Sequence, residues 1–160
     1  MQLRLWLLIA DMVMRMRIRC YSELITIPSF VDRYEYLRLG GKVGEETFGF
    51  DRYLNQKFYT TDQEYLEARD FVIIRDTGRN DYCQDLGMDS GHDIHSRIIV
   101  HHMNPITVED IIHRTKYLLD PEYLICTIDN THRAIHYGDR SLLVTAPIER
   151  TKYDTCPWRR

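Results

Sequence analysis

The sequence is short of cysteine and has none in paired spacing. Cys20, Cys83, Cys126 and Cys156 lie far apart with no C-x-x-C, which argues against a disulfide framework and against a cysteine-built zinc site. A reducing cytoplasm fits that usage. A basic excess is also lacking: 21 Lys and Arg face 24 Asp and Glu, for a net charge of −3. Indiscriminate coating of nucleic acid needs the opposite balance, so any DNA contact has to use a local basic surface. Long apolar runs are missing too. Leu3 to Met14 is interrupted by Asp11 and is shorter than the ~20 residues of a membrane span, which points to no membrane partner. No small-residue cleavage site follows before Arg15, Arg17 and Arg19, as a secretory leader requires. Two readings stay open for this stretch: a packed amphipathic segment, or an upstream extension before a start at Met16. The 11 tyrosines lack the spacing of a base-stacking platform.

What is present is enough apolar residue, 44% of 160, for one domain with a core. Between Tyr21 and Phe58 a short helix is expected around Val31 to Leu37, followed by glycine-rich loops. Thr61-Asp62-Gln63-Glu64 has the form of a capping box ahead of apolar residues at helical spacing, which predicts a helix over 62–75. The β-branched run Ile98-Ile99-Val100 reads as a buried strand with His101 and His102 at its end. After the Met103-Asn104-Pro105 loop, Thr107 to Asp110 caps a short helix reaching about Tyr117. A second strand is expected over Tyr123 to Ile128, then a helix from Thr131 to Tyr137, with Asp129 or Asn130 as N-cap and Gly138 ending it. The class is α+β, in three stretches: an N-terminal extension with helical and loop segments (1–60), a central domain (61–139) and a basic tail (140–160). That tail carries five Lys and Arg against two acids and is placed around the domain or on DNA.

Four of the seven histidines fall on two of these elements. His132 and His136, four apart on a helix, share one face and can reach one ion, though such pairs also arise by chance as surface histidines. His101 and His102, adjacent on a strand, point to opposite sides and cannot share one ligand role. His113, His92 and His95 are read as surface or loop histidines, and Cys83 and Cys126 as small packing residues. For Arg133, a DNA-clamping role and a plain surface role both stand.

His101-His102-Met103-Asn104-Pro105, Asp120-Pro121-Glu122-Tyr123-Leu124 and Thr131-His132-Arg133-Ala134-Ile135-His136-Tyr137-Gly138 together resemble the HNH motif of the ββα-metal (His-Me finger) endonucleases, and within it the small HNH proteins of tailed bacteriophages. The resemblance covers 61–139. It implies a small ββα-metal core in which His101, His132 and His136 hold one divalent ion and His102 is the general base. The family's middle asparagine falls on Tyr123, so the tyrosine hydroxyl, or Asn104 in the loop, has to take its place. Many relatives hold a structural zinc with two C-x-x-C pairs. Here those positions read Cys83 and Leu86, then Ile128 and Thr131, and no structural zinc is expected. A three-imidazole set suits zinc, nickel or manganese better than magnesium. The resemblance implies DNA as partner, with phage packaging proteins beside it, in the cytoplasm of a bacterial host. Two other readings are a DNA-binding or virion-assembly module that keeps the fold without catalysis, and a metallohydrolase for a small phosphoester.

Overall fold

The computed structural model describes residues 17–39, 52–88 and 91–143. The Leu3–Met14 run, the glycine-rich stretch 40–51 and most of the basic tail, from 144 on, lie outside the described residues. The order is α1 (Tyr21–Leu24), α2 (Phe30–Leu37), α3 (Arg52–Thr61), α4 (Gln63–Arg75), β1 (Ile99–His102), α5 (Val108–Ile112), α6 (Lys116–Leu119), β2 (Leu124–Thr127) and α7 (Asp129–Tyr137), with short 3-10 turns at Asp85–Gly87, Pro121–Tyr123 and Arg140–Leu142. Among the described residues the fold is α+β around one two-stranded antiparallel sheet. No described helix is long and apolar enough to cross a membrane.

β1 and β2 pair Ile99 with Thr127, Val100 with Cys126, His101 with Ile125 and His102 with Leu124. Because side chains alternate, His101 and Ile125 share one face, and Val100, Cys126, His102 and Leu124 share the other. Ile125 packs with Ala134 and Ile135 of α7 and with Leu24, Tyr34 and Leu37 of the N-terminal helices. Val100, Leu124 and Cys126 pack with Ala68 and Val72 of α4. The small sheet is thus clamped between α7 and α4, and the adjacent histidines are delivered to opposite sides of it. Residues 17–39 are part of the same core as α7.

Several boundaries differ from the sequence expectation. A helix covers 52–61, where loops are expected. Thr61 ends that helix, its hydroxyl bonding the Lys57 carbonyl at 2.7 Å, so the cap of α4 is Asp62, which accepts from the Tyr65 amide at 3.0 Å. Thr107 and Asp110 do form a reciprocal capping box, yet that helix stops at Ile112. Arg114 takes a positive φ of 49°, and the chain restarts as α6. β2 begins at Leu124 because Pro121 winds Tyr123 into a 3-10 turn. Gly138 ends α7 as expected with a φ of +65°, and a Cβ there would lie 2.9 Å from the Leu39 carbonyl oxygen.

The start of α7 is not capped by Asp129 or Asn130. Its N-cap is Ile128, without a side-chain cap bond. The entry is instead fixed from across the fold by Asp85, 3% exposed, which accepts from the Thr131 hydroxyl at 2.5 Å and the Ile128 amide at 3.3 Å. These bonds join two segments far apart in the chain, 83–86 and 128–131. Burial pushes the Asp85 carboxyl up to about 7, against the pull of the Thr131 hydroxyl and the Ile128 and Leu86 amides. A carboxyl whose folded value is above its unfolded one binds its proton more tightly when folded. Its contribution to stability is fully present below about pH 4 and is lost as pH rises through 7.

The Thr131→Val variant leaves one buried carboxylate oxygen without its donor. Urea unfolding should show a loss of about 1–3 kcal/mol, larger at pH 8, where Asp85 is ionised, than at pH 5. An equal or absent penalty at both pH values would show that Asp85 does not hold α7.

Candidate metal centre

β1 presents His101 toward α7, whose 3.6-residue period places His132 and His136 on the facing side. One nitrogen from each of the three imidazoles lies within 4.8 Å of the others, an arrangement that could hold a metal ion. Ring centroids are 5.1 Å apart for His101 and His132, 4.9 Å for His101 and His136 and 4.4 Å for His132 and His136. His101 is 2% exposed, and its Nε2 is buried with no hydrogen-bond partner among the described residues. The Nε2 atoms of His132 and His136 face each other at 3.1 Å. At that distance two lone pairs repel, so either a proton or a shared cation has to lie between them.

A proton there is the N–H of one neutral ring donating to the other, and a cation held by both rings would take its place. Burial is the first cause that holds all three imidazoles below the usual histidine range, with His136 down to about 4. Mutual repulsion adds to it for His101 and His136, while Asp129 pulls the other way on His132. Neutral imidazole is the form that ligates metal. An orphaned buried nitrogen, three converging ring nitrogens and suppressed protonation fit a divalent ion held by nitrogen, at about 2.0–2.1 Å for zinc.

His102, 8% exposed, lies on the opposite face of the sheet. Its Nε2 is 3.0 Å from the Leu118 carbonyl oxygen; a carbonyl only accepts, so Nε2 carries the proton and Nδ1 is the proton acceptor. Tyr65 stacks along the ring at 5.9 Å and Tyr59 lies at 6.0 Å. Burial lowers His102 to about 4, opposed by the Leu118 bond and by Asp110. Both strand histidines, His132 and His136 line one cleft of about 740 Å³.

The other residues singled out from sequence fall differently. Arg133 lines the cleft and is only loosely tied to Asp129, at 3.9 Å. Asn104 also lines it, but its amide is spent on the N-terminal segment: it accepts from the Arg19 amide and donates to the Arg19 carbonyl, both at 2.8 Å. Tyr123 is not among the lining residues; its ring packs on Tyr117 at 4.9 Å and under Lys116. His113 pairs with Glu109 on the surface, His92 stacks on Phe30 and His95 meets Tyr82 edge-on. Sequence reasoning missed Tyr59 and Tyr65, Asp85, and the Leu118 carbonyl. Tyr65 falls among apolar residues at helical spacing, which marks it as core, and a backbone carbonyl leaves no trace in residue identity.

No family model matches the chain, and neither a curated protein nor a solved structure does.

If the three imidazoles are one site, Zn²⁺ or Ni²⁺ at about 100-fold above its Kd should stabilise the protein by about 2.7 kcal/mol, seen as a higher melting temperature. His132→Ala and His136→Ala should each lose most of that shift and regain part of it at higher metal concentration. A full shift in both variants would place the ion elsewhere.

Proposed function

We propose that the chain is a divalent-metal-dependent DNA endonuclease of the HNH type, with β1, β2 and α7 as its ββα-metal unit. The observation that carries this reading is the arrangement across β1: one histidine joins two helical imidazoles in a set that could hold a metal ion, and its neighbour lies outside that set with its Nε2 against the Leu118 carbonyl.

A phosphodiester resists water because the nucleophile meets a negatively charged group and a poor alkoxide must leave. A divalent ion held by His101, His132 and His136 would neutralise the phosphoryl oxygen and stabilise the departing 3′ oxygen. The chain's own part is the proton. Water attacks phosphorus as the bond to the 3′ oxygen breaks; Nδ1 of His102 takes the water's proton, and solvent protonates the 3′ oxygen. The Leu118 carbonyl, by holding Nε2–H, keeps Nδ1 available and stabilises the imidazolium as it forms. Tyr59 and Tyr65 wall the ring and limit its rotation. Zinc, nickel and manganese suit the nitrogen set better than magnesium. DNA as the partner, and phage DNA processing or packaging in a bacterial cytoplasm, with packaging proteins beside it, carry over from the resemblance.

Tyr123 does not stand in for the motif's asparagine through its side chain in this reading. Its backbone carbonyl accepts from the Met103 amide at 2.9 Å and closes the end of the hairpin, while Asn104 fixes the loop by clasping Arg19. The turned-away Tyr123 ring is what favours the second reading, a DNA-binding or virion-assembly module without catalysis.

His102→Ala separates the two. Metal affinity and DNA affinity should stay near those of the parent while cleavage falls roughly 10²- to 10⁴-fold, the range of general-base catalysis. Cleavage at the parental rate with saturating metal would remove His102 from the mechanism.

A further inference from the structure

The cleft that holds the histidines has a charge composition unlike the rest of the chain. The protein has 24 acidic residues and a net charge of −3, yet none of the described residues lining the cleft is Asp or Glu. Three are arginines: Arg69, Arg97 and Arg133. They come from separate elements. Arg69 is on α4 and Arg133 on α7, which pack on opposite faces of the sheet, and Arg97 is in the segment entering β1, four residues before His101. Arg97 is exposed and has no hydrogen bond or ion pair to any described residue. Among the described residues Arg69 forms an ion pair only with its exposed neighbour Asp70, at 3.0 Å, and Arg133 is held loosely as noted above.

Three unneutralised or weakly paired guanidiniums around four imidazoles, in a basin without carboxylates, are arranged for an anion. The basin, about 740 Å³, is far larger than one phosphate group, and its cations come from three separate elements. Guanidinium forks match phosphate oxygens in a bidentate manner. We propose that Arg69 and Arg97, together with Arg133, bind the phosphates that flank the cleaved one, so that the cleft takes a stretch of DNA backbone and not a small phosphate ester. This rests on the nuclease reading for its central phosphate, and the arginine contacts are tested apart from cleavage.

The test uses the full-length protein and a short fluorescein-labelled DNA duplex in EDTA, where metal-dependent cleavage is silent, with affinity followed by anisotropy over a series of salt concentrations. Each phosphate contact contributes about 0.9 to the slope of log K against log salt. Arg97→Gln and Arg69→Gln should each flatten the slope by about that amount, and Arg79→Gln, an exposed arginine outside the cleft, should leave it as in the parent. Thymidine monophosphate should fail to displace the duplex at concentrations where unlabelled duplex does. Parental slopes in both cleft variants, absence of duplex binding, or displacement by the mononucleotide at comparable concentration would each overturn the proposal. Cleavage across Zn²⁺, Ni²⁺, Mn²⁺ and Mg²⁺ is scored separately. A parent that binds with the expected slopes but cuts nothing would sink the nuclease reading and leave the clamp standing, whereas one that cuts while slopes are unchanged would do the reverse.

Discussion

The bonds from Asp85 to the Thr131 hydroxyl and the Ile128 amide set where α7 begins, and with that the azimuth of His132 and His136 about the helix axis. A shift of one residue in a helix turns every side chain by about 100°, enough to carry both imidazoles away from His101. Other ties fix the opposite end. The Leu39 amide donates to the Ile135 carbonyl at 2.9 Å, and Gly138 lets the chain turn beneath the Leu39 carbonyl where a Cβ would collide. Between these two ends, Ala134 and Ile135 seat the helix on Ile125 of β2. The face that turns His132 and His136 toward His101 is what remains.

The same logic applies on the other side of the sheet. Asp76, at the end of α4, accepts from the Cys126 amide at 2.9 Å and pairs with Arg75 at 2.8 Å, while Arg75 also donates to the Leu124 and Pro121 carbonyls. This fixes α4 against β2 and so places Tyr65 over His102. Two buried carboxylates, Asp85 and Asp76, therefore position two helices on one hairpin, and the four histidines lie in the space left between them. Burying imidazoles together carries an electrostatic penalty if they are charged, and burial holds them neutral. The cost of leaving the His101 nitrogen without a hydrogen bond is one that a bound cation would offset.

What could be read from the sequence was governed by local periodicity. The β-branched run before His101, the four-residue spacing of His132 and His136, and Gly138 in a left-handed conformation each depend on neighbours within one turn or one strand, and each is found. The features that were not legible depend on partners far along the chain. Asn104 reads as a loop residue near the histidines, but its amide is taken by Arg19, 85 residues away. Thr61 has a suitable hydroxyl for capping α4, yet the preceding helix claims it. Tyr123 aligns with a polar motif position, but the Pro121 turn swings its ring toward Tyr117. The helix expected to run on to Tyr117 is broken at Arg114, whose guanidinium is drawn to Asp62 and Glu64 at 2.8 Å each.

The central proposal, that the histidine set would hold an ion for hydrolysis of a phosphodiester, is tested most directly by incubating supercoiled plasmid with the purified protein across Zn²⁺, Ni²⁺, Mn²⁺ and Mg²⁺, with EDTA as the blank and metal occupancy checked by thermal shift. The account predicts conversion to nicked or linear DNA with at least one of the nitrogen-favouring ions and none in EDTA. Supercoiled plasmid left intact by every ion at demonstrated occupancy would contradict it.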